Sequence, residues 1–305
     1  MTRILIIGAG ELGSQVLQSL IQHPFSHNAT VSVLLRSQTI ESTDPVKQRD
    51  VHSLQEIGVK VVPGDIVHDQ ESTLVSIFAN HDTIIGCTGF VSGKGTQVKI
   101  ASAVLAAKTA RYIPWQFGVD YDIIGRGSAQ DLFDEQLDVR DMLRAQQTTR
   151  WAIISTGMFT SFLFSPSFGV VDFDHATIRA LGGWENRVTI TTPEDIGRFT
   201  AEIVLGKDSE ALISDQVIFV GGDTIAYGEL AQLVERLARK PFEKKVLLVS
   251  DAQTALAEDP SNGLLKYQVV FGQGRGVAWD LKETWNFQQN LTAQTAETWA
   301  KENIL

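Results

Sequence analysis

The chain opens on a short apolar run that passes directly into Gly8-Ala9-Gly10-Glu11-Leu12-Gly13, and this junction limits the fold more than any other feature. Residues 3–7 read as a strand apolar on both faces. Leu12, Val16, Leu17, Leu20 and Ile21 then form one apolar stripe of a helix. The glycines follow the spacing G-x-G-x-x-G. In a strand–turn–helix unit the first permits a tight turn and the second lets the backbone approach a pyrophosphate. The third lets helix and strand pack closely, while the helix amino terminus faces the negative charge. The pattern is weak in isolation. Its place between a strand and a helix makes it a dinucleotide-binding signal rather than a plain structural turn.

The alternation continues. Further apolar runs lie at 30–35, 59–62, 82–85, 111–115 and 151–155, with helical stretches near 48–57, 71–79, 96–107 and 129–147. Strands apolar on both faces that alternate with helices predict an α/β fold, with a Rossmann-type doubly wound parallel sheet and right-handed crossovers. After residue 156 the alternation weakens. Phe159, Phe162, Phe164 and Phe168 crowd together, and Pro166 and Gly169 break any long helix. A helix over 193–205 starts on a first-turn proline, and Glu194 and Asp195 suit its positive end. Residues 217–220 read as a strand, 227–238 as a helix and 246–249 as a last strand. Trp279, Trp285, Phe287 and Trp299 read as core, with some of them available to line a substrate pocket. The expected organisation is a dinucleotide-binding domain over 1–155 with a return near 187–222. A smaller, interwoven carboxy-terminal region over 156–305 would then bind mainly substrate.

Composition narrows the partners. A chain of 305 residues can bury a large core without staples. Its net charge of −10 repels phosphate backbones, which argues against nucleic acid. The lone Cys87 excludes an internal disulfide and any multi-cysteine metal site, and fits a reducing compartment. No apolar run is long enough for a signal peptide or a membrane span. The expectation is a cytoplasmic monomer or homodimer with a small-molecule substrate, and with neither a membrane nor a nucleic-acid partner.

The second strand ends on Arg36, followed by Ser37, with no acid before Glu41. An acid there would hold the ribose 2′-hydroxyl of NAD. An arginine suits a 2′-phosphate, which it grips with a charge-assisted fork, so NADP(H) is the expected cofactor over a merely solvated arginine. Other signals are set aside. Gly89-Phe-Val-Ser-Gly93-Lys94-Gly95-Thr96 lacks the spacing of a phosphate loop and reads as a flexible loop over the cofactor. His23 and His27 flank Pro24 and make no metal pair. Cys87 reads as a small buried strand-end residue rather than a nucleophile. Asp131, Asp134, Glu135, Asp138 and Asp141, interleaved with Arg140 and Arg144, read as a solvated helix face.

Several segments together resemble the NmrA-like and isoflavone reductase-like group of atypical short-chain dehydrogenases. They are IIGAGELG, VLLRS, DPVK, GVKVVPGDI, the Thr88-Gly89 turn, YIPWQFGVDYD, FDEQLDVRDMLR, STGMF and TTPEDIG. The resemblance covers roughly the first 220 residues. It implies that Gly8, Gly10, Glu11, Leu12, Gly13, Arg36, Ser37, Asp65, Ile66, Thr88, Gly89, Gln116 and Phe117 face NADP(H). It also implies that Met158, Phe159 and Phe162 lie near the nicotinamide and substrate.

One departure from that group matters. Its reductases usually carry a lysine on the helix after the fifth strand; here the aligned residue is Gln136. No lysine lies between Lys108 and Lys207, and no Tyr-x-x-x-Lys occurs in the chain. Helical spacing puts Phe133, Gln136, Leu137 and Arg140 on one face, so Gln136 points inward. Glutamine can hydrogen-bond a ribose or a substrate oxygen, but it supplies neither a cation nor a titrating proton. Two readings follow. In the first, the chain reduces a small aromatic or heterocyclic specialised metabolite at a C=N, C=C or C=O group, and Asp120, Tyr121, Asp122 or a water handles the proton. A cationic iminium carbon needs no prior protonation. In the second, it is a non-catalytic, NmrA-type dinucleotide sensor acting through a protein partner. An aromatic pocket built from Phe159, Phe162, Phe164 and Phe168 would favour the enzyme.

Overall fold

Ile4, Leu5, Ile6 and Ile7 are each at most 1% exposed, which demands neighbours on both edges of their strand and cover on both faces. The computed structural model, which describes residues 1–90 and 93–304, supplies both. Its strands in chain order are β1 (Thr2–Ile7), β2 (Ala29–Leu35), β3 (Lys60–Pro63), β4 (Thr83–Gly86), β5 (Arg111–Ile113) and β6 (Arg150–Ser155). There follow β7 (Met158–Phe159), β8 (Val171–Asp172), β9 (Thr177–Leu181), β10 (Arg187–Thr191), β11 (Gln216–Phe219), β12 (Asp223–Ala226) and β13 (Glu243–Leu247).

Seven strands form one sheet in the order β11-β6-β5-β4-β1-β2-β3. The pairs from β3 to β6 are parallel, with Ile6 opposite Val33 on one side and Ile85 on the other. Hydrogen bonds from Asp215 N–H to the Trp151 carbonyl and from Val220 N–H to the Ser155 carbonyl advance together, so β11 is parallel as well. The order grows outward from β1 in both directions. The chain therefore leaves β1 and β4 toward opposite sides, and the crevice beyond their carboxyl ends is the topological switch point where α/β sheets bind ligands.

Two compact units emerge. The first comprises Met1–Gln116, Glu135–Ile154 and Ile196–Ile218, and the second Phe117–Asp134, Ser155–Asp195 and Phe219–Leu305. A boundary at 155 assigns 117–134 to the first unit; the structure assigns this stretch to the second. There the Gly118 carbonyl accepts N–H groups from Thr156 and Gly157, and Asp120 N–H donates to Gly276. The returning segment is also shorter than 187–222, because Arg187–Thr191 is held in the second unit by antiparallel pairing with Asp223–Ala226.

The helix Pro193–Leu205 begins at Thr192, whose hydroxyl accepts the N–H of Asp195. It crosses the helix Glu11–Gln22 at Gly197, where a Cβ would stand 2.6 Å from the Gln15 carbonyl oxygen. The second unit carries two three-stranded sheets, β12-β10-β7 and β13-β9-β8. The last strand is Glu243–Leu247 rather than 246–249, and helices Val249–Glu258 and Gly263–Gln273 follow it. The tail aromatics are not core. Phe287 is 53% exposed, and Trp279, Trp285 and Trp299 are half-buried. The Trp279 indole N–H donates to the Val220 carbonyl at 3.1 Å. Among the described residues no helix is long and apolar enough to cross a membrane. None of their His, Cys, Asp and Glu side chains gather in threes that could hold a metal.

Candidate functional site

The three glycines of the first turn have three different surroundings. Gly8 has φ +97°, and a Cβ on it would stand 2.4 Å from Thr88 Oγ1. Gly13 lies so close under the turn that a Cβ would stand 2.1 Å from the Gly8 carbonyl oxygen. Gly10 has no atom within 4 Å of where its Cβ would be. It also opens the helix Glu11–Gln22 without a side-chain cap, which leaves the first-turn N–H groups facing that open space. Leu12 is buried beneath the turn and Glu11 is exposed. Across the switch point Thr88 Oγ1 donates to the Ile7 carbonyl at 2.9 Å, and Cys87 N–H donates to the same oxygen. Cys87 itself is buried, which pushes its thiol pKa up and makes it a poor nucleophile.

Gly8, Leu34, Arg36, Asp65, Ile66 and Thr88 line one pocket of about 520 Å³, together with Thr39 and His68. Arg36 and Ser37 are exposed where β2 gives way to the short helix Ser37–Ile40. Asp65 builds the opposite wall. Its carboxylate accepts the N–H groups of Val67 and His68 at 2.9 and 3.1 Å and pairs with His68 Nδ1 at 3.0 Å. Burial opposes its charge, but the His68 ring and these N–H groups outweigh it and leave the carboxyl below its ordinary pKa. An adjoining pocket of about 660 Å³ shares Leu35 and Thr39 with the first and adds Ala9, Ser14 and Lys47. Sequence reasoning missed Lys47. Its signal was Asp44-Pro45, where the Asp44 carboxylate caps Val46 and Lys47 N–H and fixes Lys47 in the first turn of Pro45–Glu56. Gly89 packs against Trp115, and Phe90 meets the same ring edge-on at 4.6 Å. The rest of the expected loop includes Val91 and Ser92, which lie outside the described residues.

The helix Leu132–Arg144 corrects the reading of a solvated acidic face. Asp138, Asp141 and Arg144 are exposed, whereas Glu135, Gln136 and Arg140 are 5%, 1% and 0% exposed. Glu135 accepts the N–H groups of Gly95, Gln97 and Val98 at 2.9, 2.7 and 3.3 Å, and so caps the helix Thr96–Ala106 from outside. Arg140 Nε donates to Gln116 Oε1 at 2.8 Å, and Gln116 Nε2 donates to the Gln136 carbonyl at 2.9 Å. The Gln116 side chain, which the family resemblance turns toward the cofactor, is fully buried and uses both ends to lock this helix. Gln136 does point inward, and neither its Oε1 nor its Nε2 has a hydrogen-bond partner among the described residues. A buried group left so costs about 1–3 kcal/mol.

In the second unit Tyr121 is 3% exposed, edge-on to Phe133 at 4.9 Å, with its hydroxyl over Gly118. Asp120 Oδ1 accepts the N–H groups of Asp122 and Ile123, capping Tyr121–Ile124, while Asp122 is exposed. Phe117 is buried. Met158, also buried, follows Gly157, which has φ +74° and would place a Cβ 2.1 Å from the Thr189 carbonyl oxygen. That contact explains the glycine of STGMF, because β10 passes directly over it beside β7. The four phenylalanines do not make one pocket. Phe164 stacks on Trp299 at 5.3 Å and Phe168 is fully buried, each drawn into packing. Phe159 and Phe162 stay half-buried, with Phe162 4.4 Å from Phe168 and 5.9 Å from Tyr267.

Comparison with known proteins agrees with this geometry. The model of the NmrA-like family matches residues 1–285. An NmrA-like family domain-containing oxidoreductase of Gibberella moniliformis is 45% identical over 289 residues, covering 94% of this chain and 93% of its own. Isoflavone reductase homolog P3 of Arabidopsis thaliana is 28% identical, with 85% and 82% covered. The binary complex of leucoanthocyanidin reductase with NADPH from Vitis vinifera has a TM-score of 0.78 at 19% identity over 98% of both chains, and so shares the fold. With a family model spanning nearly its whole length and a relative at 45% identity, the chain belongs to the NmrA-like family.

Proposed function

We propose that this protein is an NADP(H)-dependent reductase of a small aromatic or heterocyclic metabolite. The observation that carries the cofactor is the pocket at the switch point, where Gly8 and Thr88 face Arg36 and no acid ends β2. The glycines fit a dinucleotide. Gly10 leaves room for a pyrophosphate against the backbone, while Gly8 and Gly13 make the turn tight enough to hold it. Arg36, with Lys47 on the adjoining wall, would grip a 2′-phosphate. Thr88, Asp65 and Ile66 would bound the ribose side. The relatives named as an oxidoreductase and as an isoflavone reductase homolog support the reaction class.

When bound, the reduced nicotinamide supplies a hydride. The chain's own part is to bind, orient and manage the proton. Gln136 cannot titrate, so it orients rather than protonates. Of the three groups proposed for the proton, Asp120 Oδ1 is committed to a helix cap and Asp122 is exposed. The buried Tyr121 hydroxyl has the strongest claim for a carbonyl or C=C substrate, whereas a cationic iminium would need no donor. Met158, Phe159 and Phe162 would present the apolar surface for its ring.

Calorimetric titration with NADPH, NADP⁺, NADH and NAD⁺ tests the reading. Tight binding of the phosphorylated pair, tightest for NADPH, justifies a screen of imine, enone and carbonyl substrates by NADPH consumption. A preference for the oxidised form with no turnover would favour a sensor instead. Binding of none would overturn the proposal.

A further inference from the structure

We propose that Gln136 recognises a carboxamide or lactam on a bound small molecule, accepting that group's N–H at Oε1 and donating Nε2–H to its carbonyl oxygen; this deepens the reductase reading and rests on it. Gln136 is 1% exposed and neither end of its amide has a partner among the described residues. Three polar side chains on and beside this helix make hydrogen bonds elsewhere. Glu135 accepts three backbone N–H groups, Arg140 donates to Gln116, and Gln116 donates to the main-chain carbonyl of Gln136 itself. That last bond pins the backbone from which the amide projects. The unpartnered amide therefore sits on a fixed helix rather than on a loosely packed one.

The chemistry of the missing partner follows from what an amide offers. It presents one acceptor and one donor side by side, and its full complement is another amide in mirrored arrangement. A lysine ammonium at this position would only donate, and would satisfy a carbonyl, hydroxyl or carboxylate. A ketone would satisfy Nε2 and leave Oε1 bare, with the penalty that rejects such analogues from buried sites. Two sources carry the matching group: the carboxamide of a nicotinamide ring, and an amide or lactam of the substrate.

The test compares the wild-type chain with Gln136→Met, which keeps length and removes both hydrogen bonds, and with Gln136→Glu, which keeps the acceptor. Each is titrated with NADP⁺ and with its acetylpyridine analogue, in which a methyl ketone replaces the carboxamide. Each is also titrated with δ-valerolactam and N-methyl-δ-valerolactam, followed by ligand-observed NMR with and without NADP⁺. A wild-type preference for NADP⁺ of roughly tenfold over its analogue, lost in Gln136→Met, assigns the cofactor as source. A preference for the unmethylated lactam, lost in the same variant while NADP⁺ affinity holds, assigns the substrate. Affinities within about twofold across all variants and probes would overturn the proposal and leave the amide to an ordered water. Thermal melts check folding; if Gln136→Met is unstable, Gln136→Leu, which likewise removes both hydrogen bonds, decides. Failure of the wild-type chain to bind NADP⁺ would instead sink the cofactor reading, and the lactam titration of the cofactor-free chain would still decide this one.

Discussion

Thr88 Oγ1 occupies the space that a Cβ on Gly8 would need, 2.4 Å away, while the same hydroxyl ties down the carbonyl of Ile7 at 2.9 Å. Strand end, turn and neighbouring strand are thus interlocked at the switch point. Gly8→Ala and Gly13→Ala should each destabilise the fold by about 1–3 kcal/mol, the first through its positive φ and the second through a clash with fixed backbone. Gly10→Ala meets nothing within 4 Å and has an ordinary φ of −76°. Urea denaturation should leave it within about 0.5 kcal/mol of wild type. Its NADPH affinity should nonetheless fall at least roughly tenfold if the pyrophosphate lies over it. Unchanged affinity in Gly10→Ala would separate the turn from the ligand.

Arg36 and Lys47 border adjoining pockets that share Leu35 and Thr39. Hydrogen bonds to a charged group contribute about 1.5–3 kcal/mol, so Arg36→Ala should weaken NADPH roughly tenfold or more while moving NADH little. Lys47→Ala should act in the same direction but less. High salt should narrow both differences, because the pair is exposed to solvent screening. Equal losses for NADPH and NADH would remove the 2′-phosphate assignment.

The helices 193–205 and 227–238 were legible to the residue, because proline, acids and an amphipathic stripe mark their ends locally. The strands of the seven-stranded sheet, its edges at 60–63 and 216–219 included, were legible to within a residue or two, since they are short apolar runs. What the sequence hid was non-local. Strands of two residues such as Met158–Phe159 exist only because β10 lies beside them. Glu135 and Arg140 look like surface charges, and become core only through partners 38 and 24 residues away. The same holds for Gln116: nothing near it in the chain announces its bonds to Arg140 and to the carbonyl of Gln136.

The link between Gln116 and Arg140 predicts coupled stability. Gln116→Ala withdraws the acceptor from a fully buried guanidinium and also releases the Gln136 carbonyl. It should cost about 3 kcal/mol or more, since truncating one partner of a buried charge leaves its desolvation less well offset. Arg140→Met fills similar volume without a charge and should cost less. The double variant should fall well short of the sum, with a coupling of about 0.5–3 kcal/mol measured by urea denaturation. Additive losses would mean that the two side chains act independently.

Asp82 gives the clearest pH dependence. The Arg3 side chain donates to it from Nε and from its terminal nitrogen, at 3.1 and 2.7 Å, and Arg3 N–H adds a third bond at 2.8 Å. Chiefly through the side-chain bonds, and against some burial, the carboxyl is held at about 2. The folded pKa therefore lies below the unfolded value near 3.9, so the pair stabilises the fold fully above that value and ceases to do so as pH falls through about 2. Both side chains are substantially exposed, 37% for Asp82 and 50% for Arg3, so solvent screening holds the contribution to about 1 kcal/mol or less. Asp82→Asn keeps the shape and removes the charge. In urea titrations it should be less stable than wild type by up to that amount from pH 5 to 7, with the gap closing between about pH 4 and 2. A gap independent of pH would show that the contact holds the start of β1 to β4 by packing and neutral hydrogen bonds rather than by charge.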